Sequence, residues 1–499
     1  MDKTFDALLA RMHELRDLGG VIGLASWDRE TYLPTRAHEA RSHQLSTLHG
    51  IQHERLVDPR LGELLAWASD APRLTPDQRA MARVLTQERD RAVKLPRTLV
   101  KALAEAQSQG LQAWREAREE RRFARFQHAL SRLLALRREQ ADAYGHGGER
   151  YDALLDEYEP GMRVARLGPV LASLRDTLIR LVGALQAAPR QVPELFQGRR
   201  FDTEAQWRVS LRMLGDMGFE LDSGRQDKSI HPFSSGLHPT DVRLTTDLDE
   251  HSLEGLFSTL HEGGHGLYEQ GFQPAHHRTP LANAPSMGLH ESQSRLWENL
   301  VGRGRPFWTH YFPLLRDAFS EGLTGVALDG FLAAINRVTP SFIRTAADEV
   351  TYNLHIVLRY ELELLLIRDE LPLDELPAAW NERMRRFLGI TPPDDLQGVL
   401  QDIHWAWGEF GYFPTYALGN LYSASIYAAA RRALPGLEEG IARGELRPLR
   451  DWLRDHVHAE GYRLPAEELV REVTGQGLTD VDFLAYLQSK FGALYGVTL

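Results

Sequence analysis

From Phe5 to about Leu185 the chain repeats Leu, Ala and Val at three- and four-residue spacing among many Arg and Glu, with almost no strand-like alternation. That spacing gathers the apolar residues into one stripe of a helix, and a stripe is buried only against another helix or a sheet. With so little strand to pack on, the fold class is mainly α. Breaks at residues 32–35 (Tyr-Leu-Pro-Thr), Asp58-Pro59, Ala71-Pro72 and 145–148 (Gly-His-Gly-Gly) carry the turn residues expected of short connections between packed helices. The mixed Arg and Glu of residues 115–125 predict a solvated helix face.

Between Ala187 and Asp247 the texture changes, with Pro189, Pro193, Pro232, Pro239 and several glycines. Residues 229–240 are expected to be irregular, followed by one short strand at Val242 to Thr246. The remainder returns to helix, and its prolines open no composition change that would mark a linker. One domain over residues 1–499 is therefore expected, the alternative division being a helical lobe of about 1–186 over a half of about 187–499.

Composition narrows the chemistry. The 43% hydrophobic and 25% charged residues suit a globular chain, and a net charge of −11 argues against a nucleic-acid partner. There is no Cys, so disulfides, thiolate metal sites and a cysteine nucleophile are excluded, and a metal must use His, Asp, Glu or water. Residues 1–20 lack a signal-peptide pattern and no span suits a membrane helix, so a cytoplasmic location without a membrane partner is expected.

One motif answers to that restriction. His261-Glu262-Gly263-Gly264-His265 falls in a predicted helix from about Ser252 to Phe272, striped by Leu253, Leu256, Phe257, Leu260 and Leu267. Histidines at i and i+4 lie one above the other, so both rings can reach a single Zn²⁺ at about 2.0–2.1 Å. Glu262 projects beside them and can take a proton from water polarised by the metal. Gly263, Gly264 and Gly266 each cost about 1 kcal/mol in a helix, which implies a close approach by other backbone.

Zinc catalysis wants three protein ligands and an open position. A metzincin pattern would need Gly at Tyr268 and His at Gly271, and a thermolysin-like spacing would need Glu where Ala284 and Pro285 stand. Glu291 is the favoured third ligand, on a second helix that begins near Gly288 and follows a turn at residues 280–285. It is preferred to His290, about 100° away, and to Glu298, two turns along.

These residues sit among others that resemble the carboxypeptidase Taq family of zinc metallocarboxypeptidases, over essentially the whole chain. The motifs are Asp241-Val-Arg243-Leu-Thr245, the zinc helix, His290-Glu-Ser-Gln293, Ile343-Arg-Thr-Ala-Ala-Asp348 and Gly398-Val-Leu-Gln-Asp-Ile-His-Trp405. The resemblance implies a helical zincin-like fold with a deep central groove and a small β element beside the metal helix, similar in outline to neurolysin and angiotensin-converting enzyme, and commonly a homodimer. It also implies removal of single residues from peptides with a free C-terminus, with broad side-chain tolerance. Zn²⁺ would be held by His261, His265 and Glu291, with Glu262 as base, and Co²⁺ serves some members better.

Selecting a C-terminal bond calls for a cation that pairs with the free carboxylate, and an arginine fork does so bidentately. Arg344, expected one turn into a helix announced by Thr339 and Pro340, matches the family's arginine. By spacing alone an intrahelical pair with Asp348 is an equal reading. His231 and Tyr416 could complete the pocket, and Tyr416 could instead stabilise an oxyanion. The strand at Asp241 to Thr246, taken as an exposed edge, could pair with an extended peptide, or Asp241 and Arg243 could merely buttress the groove. Asp402 could orient a zinc histidine, and His404 could join it or cap a helix. The rival functions are a zinc oligoendopeptidase or dipeptidyl carboxypeptidase and, outside enzymes, a helical binding protein with structural zinc.

Overall fold

Each turn marked in the first third of the sequence interrupts a helix. The computed structural model describes residues 3–498. Among them, nine α-helices precede the sheet: α1 (Lys3–Thr31), α2 (His38–Val57), α3 (Pro59–Asp70), α4 (Pro76–Lys94), α5 (Arg97–Glu120), α6 (Ala124–Tyr144), α7 (Arg150–Leu155), α8 (Val164–Gln186) and α9 (Thr203–Met217). Local chemistry fixes their starts. Asp58 caps α3 and Thr75 forms a capping box with Gln78 on α4, each ahead of a proline in the first turn. Asp202 caps α9 by accepting from Ala205 N–H at 2.7 Å.

The solvated face expected over 115–125 is interrupted. Helix α5 ends at Glu120, Arg121 takes a left-handed φ of 51°, and Arg118 turns inward to donate to the carbonyl of Leu400 at 2.8 Å.

Residues 229–240 are not wholly irregular. Three strands, β1 (Gly224–Lys228), β2 (Ser234–His238) and β3 (Asp241–Thr246), form a sheet of order β1-β3-β2. β3 pairs in parallel with β1, Gly224 opposite Val242, and antiparallel with β2, Ser234 opposite Leu244. β3 is therefore the central strand. Both its edges are taken, so main-chain pairing of a peptide along Asp241 to Thr246 is excluded. Arg243 instead pairs with Asp241 at 2.9 Å and stacks 4.3 Å from the Trp27 ring of α1.

Past the sheet come α10 (Glu254–Gln270), α11 (Met287–Arg295), α12 (Arg305–Ala318), α13 (Leu328–Ile335), α14 (Tyr352–Arg368), α15 (Leu376–Leu388) and α16 (Pro414–Ala433). Four helices follow: α17 (Leu437–Ala442), α18 (Arg447–His456), α19 (Ala466–Thr474) and α20 (Val481–Tyr495). Helix α11 runs on into a π-helical segment, Leu296–Val301.

One large apolar core extends from Ala117 to Tyr495, and α10, α11, α14 and α16 cross it. A smaller core of Phe5, Leu8, Met12, Leu61, Leu85 and their neighbours closes the N-terminal helices and leans on Leu281 and Tyr462. The architecture is mainly α, with the sheet packed against α10.

Candidate active site

Helix α10 buries Leu256, Phe257, Leu260 and Leu267, which turns His261 and His265 toward α11. The glycines permit this packing. A Cβ on Gly264 would lie 2.5 Å from the Gln293 carbonyl and 2.7 Å from Ser294 Cα, so the two backbones touch there. Gly263 and Gly266 face side chains instead, Leu214 and Phe219. Ser286 caps α11 by accepting from Leu289 N–H at 3.0 Å. On the far side of α11, Gly419 of α16 leaves room for the Glu291 side chain.

This packing brings three donors together. Glu291 Oε2 lies 3.8 Å from His261 Nε2 and 3.6 Å from His265 Nε2. All three groups offer a ligand atom within 4.8 Å of the others, and they are the one such group of three among the described residues. Two imidazoles and a carboxylate suit a hard or borderline divalent cation.

The electrostatics hold His265 and Glu291 in ligating form, whereas at His261 the Glu291 and Glu298 carboxylates outweigh burial and raise the imidazole pKa. Burial pushes His265 down to about 3, leaving it neutral. Burial would raise the Glu291 carboxyl, but Arg295 and His261 outweigh it and hold the group well below its usual range. His261 Nδ1 lies 2.9 Å from Glu298 Oε2, so an N–H there leaves Nε2 free to face the other donors. His265 Nδ1 is buried with no partner among the described residues.

Glu262 is buried on the same helix, and burial pushes its carboxyl up to about 7, with His261 acting in the opposite sense. His290 is engaged elsewhere. Its Nε2 lies 2.9 Å from Glu269, and its ring stacks on His265 with centroids 4.4 Å apart.

Arg344 lies in a short 3₁₀ turn, Arg344–Ala346, rather than in a helix. Asp348 does not pair with it, because the Asp348 carboxylate accepts from Thr339, Val350 and Thr351 N–H groups just ahead of α14. Arg344 instead donates from Nε and Nη2 to Asp402 Oδ1 at 3.0 and 2.9 Å, and from Nη1 to the Tyr352 hydroxyl at 3.2 Å. Five N–H groups against these three bonds leave the Nη1–Nη2 edge with donors to spare.

Asp402 therefore pairs with arginines rather than with His261 or His265, and the carboxylate beside His261 is Glu298. Asp402 accepts from both Arg344 and the fully buried Arg359, the latter at 2.7 Å from Nε. His404 begins a 3₁₀ turn and reaches the Tyr416 hydroxyl at 3.3 Å. The Tyr416 ring lies 5.0 Å below the Arg344 guanidinium, and burial holds its phenol well above its usual range. Tyr412, 5.3 Å from Tyr416 between ring centroids, was not flagged by the sequence. His231 is exposed in the turn between β1 and β2, where its carbonyl accepts from the Ser229 hydroxyl.

A cavity of about 470 Å³ runs beside the site, with Arg295, Glu298, Arg344 and Tyr352 in its wall. Arg295 and Glu298, which touch the donor triad, thus share a cavity wall with Arg344, the arginine that could meet a carboxylate.

Comparison with known proteins finds relatives along the whole chain. The sequence profile of the carboxypeptidase Taq (M32) metallopeptidases matches residues 7–491. Thermostable carboxypeptidase 1 of Thermus thermophilus is 44% identical, the match covering 99% of each chain. Carboxypeptidase 1 of Bacillus subtilis is 35% identical over 99% of this chain and 98% of its own. Among solved structures, the M32 carboxypeptidase of Deinococcus radiodurans superposes with a TM-score of 0.97 at 42% identity, covering 99% of this chain and 100% of that one. A Pyrococcus furiosus carboxypeptidase gives 0.95 at 34%, covering 98% and 99%. With the profile and the relatives both running the length of the chain, it belongs to the carboxypeptidase Taq (M32) metallopeptidase family and is a metallocarboxypeptidase.

Proposed function

We propose that the enzyme removes single residues from free peptide C-termini with broad side-chain tolerance, using Zn²⁺ held by His261, His265 and Glu291 and Glu262 as proton carrier. The observation that carries this reading is the convergence of those three donors, 3.6 and 3.8 Å from Glu291 Oε2, beside the buried Glu262. A bound Zn²⁺ would supply Lewis acidity, polarising a carbonyl and lowering the pKa of water to about 7.

The chain's own groups do the rest. Glu262 accepts a proton from the attacking water at its carboxylate and delivers it to the leaving amine. The spare Nη1–Nη2 edge of Arg344 meets the substrate carboxylate, while Asp402 holds the guanidinium from its other side. The Tyr416 and Tyr412 phenols, kept protonated by burial, can donate to a developing oxyanion. Broad tolerance follows if recognition rests on the carboxylate and the main chain.

The whole chain is taken as one peptidase domain. A homodimer rests on the family resemblance, and a cytoplasmic location on the sequence reading above. Glu262→Gln should retain Zn²⁺ and lose several orders of magnitude in kcat. Near-normal turnover with metal retained would remove Glu262 from the proton-carrying role.

A further inference from the structure

We infer that Arg295 is a positioning residue for the metal centre: it fixes Glu291 as a one-oxygen ligand and, through Glu298, holds the His261 ring in its ligating orientation. This deepens the proposed function and rests on its ligand set.

The geometry divides the Glu291 carboxylate between two tasks. Oε2 faces the two histidines, while Oε1 accepts from Arg295 Nε at 2.7 Å. With Oε1 held by a charge-assisted hydrogen bond, the carboxylate is kept from turning to present both oxygens to a cation. The same guanidinium reaches Glu298, donating from Nη1 to Oε2 at 3.2 Å, and that oxygen is the one 2.9 Å from His261 Nδ1. One cation therefore sets two of the three donors, Glu291 directly and His261 at one remove.

Burial makes these bonds matter. The side chains of Arg295, Glu291 and Glu298 are only 14%, 10% and 14% exposed, so water competes weakly for them. Without Arg295 the buried Glu291 would lose its charge-assisted partner, and Glu298 would keep only Arg303, 3.7 Å away, as its arginine. The guanidinium itself is fixed, because it lies 4.6 Å from the Tyr352 ring, in cation–π contact. Tyr352 accepts from Arg344 at its hydroxyl, so the residue that steadies Arg295 also touches the proposed substrate clamp. A lysine is a point charge without the rigid fork and cannot serve both carboxylates in this way.

The test is metal binding rather than turnover. Zn²⁺ dissociation constants by chelator competition, and visible spectra of the Co²⁺-loaded enzyme, would be compared for wild type, Arg295→Met and Arg295→Lys, with His265→Ala as reference. The inference expects Arg295→Met to bind Zn²⁺ about 10–100-fold more weakly, the range for removal of an outer partner of a ligand. The Co²⁺ bands should weaken as Glu291 gains freedom to coordinate through both oxygens. Arg295→Lys should fall between, and it alone carries the test if the methionine variant fails to fold. Wild-type affinity and spectrum in the folded Arg295 variants would overturn the inference. Wild-type affinity in His265→Ala would overturn the ligand set beneath it, which is a separate failure.

Discussion

Asp402 is a carboxylate shared by two arginines, and its surroundings set how it responds to acid. Burial alone would raise it, but Arg359 and Arg344 outweigh burial and hold it well below its usual 3.8. A depressed folded-state pKa contributes stability that is present above the unfolded value and is lost as pH falls below it. Asp402→Asn should therefore destabilise the protein at pH 7, by about 3–5 kcal/mol for a broken buried pair. The gap from wild type should shrink at pH 3, as followed by urea unfolding at both pH values. A gap that stays constant would show that Asp402 is not held ionised by its arginines.

At this scale the metal donors were legible because their signal is local. His261, Glu262 and His265 are tied by helical spacing alone, whereas Glu291 was favoured over His290 and Glu298 on the same helix without being singled out, and the family resemblance completed the ligand set. Glu298, Arg295, Arg359 and Tyr412 were not assigned their roles, since each acts on a residue whose position depends on how helices pack. Glu298 is the instructive case. The sequence offered it only as a rival ligand, and the π-helical segment Leu296–Val301 places it against His261 Nδ1 instead. Arg344 and Asp348 show the reverse error, because i,i+4 spacing implies a pair only where the backbone is helical, and residues 344–348 are not in an α-helix.

Among the elements, α10, α11 and α16 determine the site by approaching one another closely. Any side chain at Gly419 would run into Glu291, so Gly419→Ala must displace either α16 or the ligand. Overpacking of this kind costs about 1–3 kcal/mol. The variant should unfold at lower temperature and bind Zn²⁺ more weakly, measured by calorimetry and chelator competition. Unchanged metal affinity would mean that α16 gives way and does not help place Glu291. The glycines of α10 announced such approaches in the sequence through their cost to a helix. The strands did not announce themselves equally. β3 carries Val242 and Leu244 on one face, but β1, Gly-Arg-Gln-Asp-Lys, has no apolar residue, and β2 has only Leu237. Those two strands are specified by pairing with β3 rather than by their own pattern, which is why β3 was misread as an edge.

For the molecule as a whole, the mainly α class was legible because helical periodicity persists over hundreds of residues. The grouping of cores was not. Most of residues 117–185 bury their stripes in the same core as the metal helix, Leu133 and Leu136 pack with Leu99 and Leu103 in another, and Phe5 to Leu85 close around a third. Nothing in the local texture of the first 185 residues distinguishes those three destinations, since all are reached by amphipathic helices with charged outer faces. Arg295, Glu298 and Tyr352 link the donor triad to Arg344 along one cavity wall, and the proposed function requires a peptide end to bind between the triad and Arg344. The most direct test digests one peptide, with a free or an amidated C-terminus, and reads the products by mass spectrometry with Zn²⁺ present and after chelation. Stepwise loss of single residues from the free form alone, abolished by the chelator, is the predicted result; internal cuts in both forms would contradict the account and point to an oligoendopeptidase.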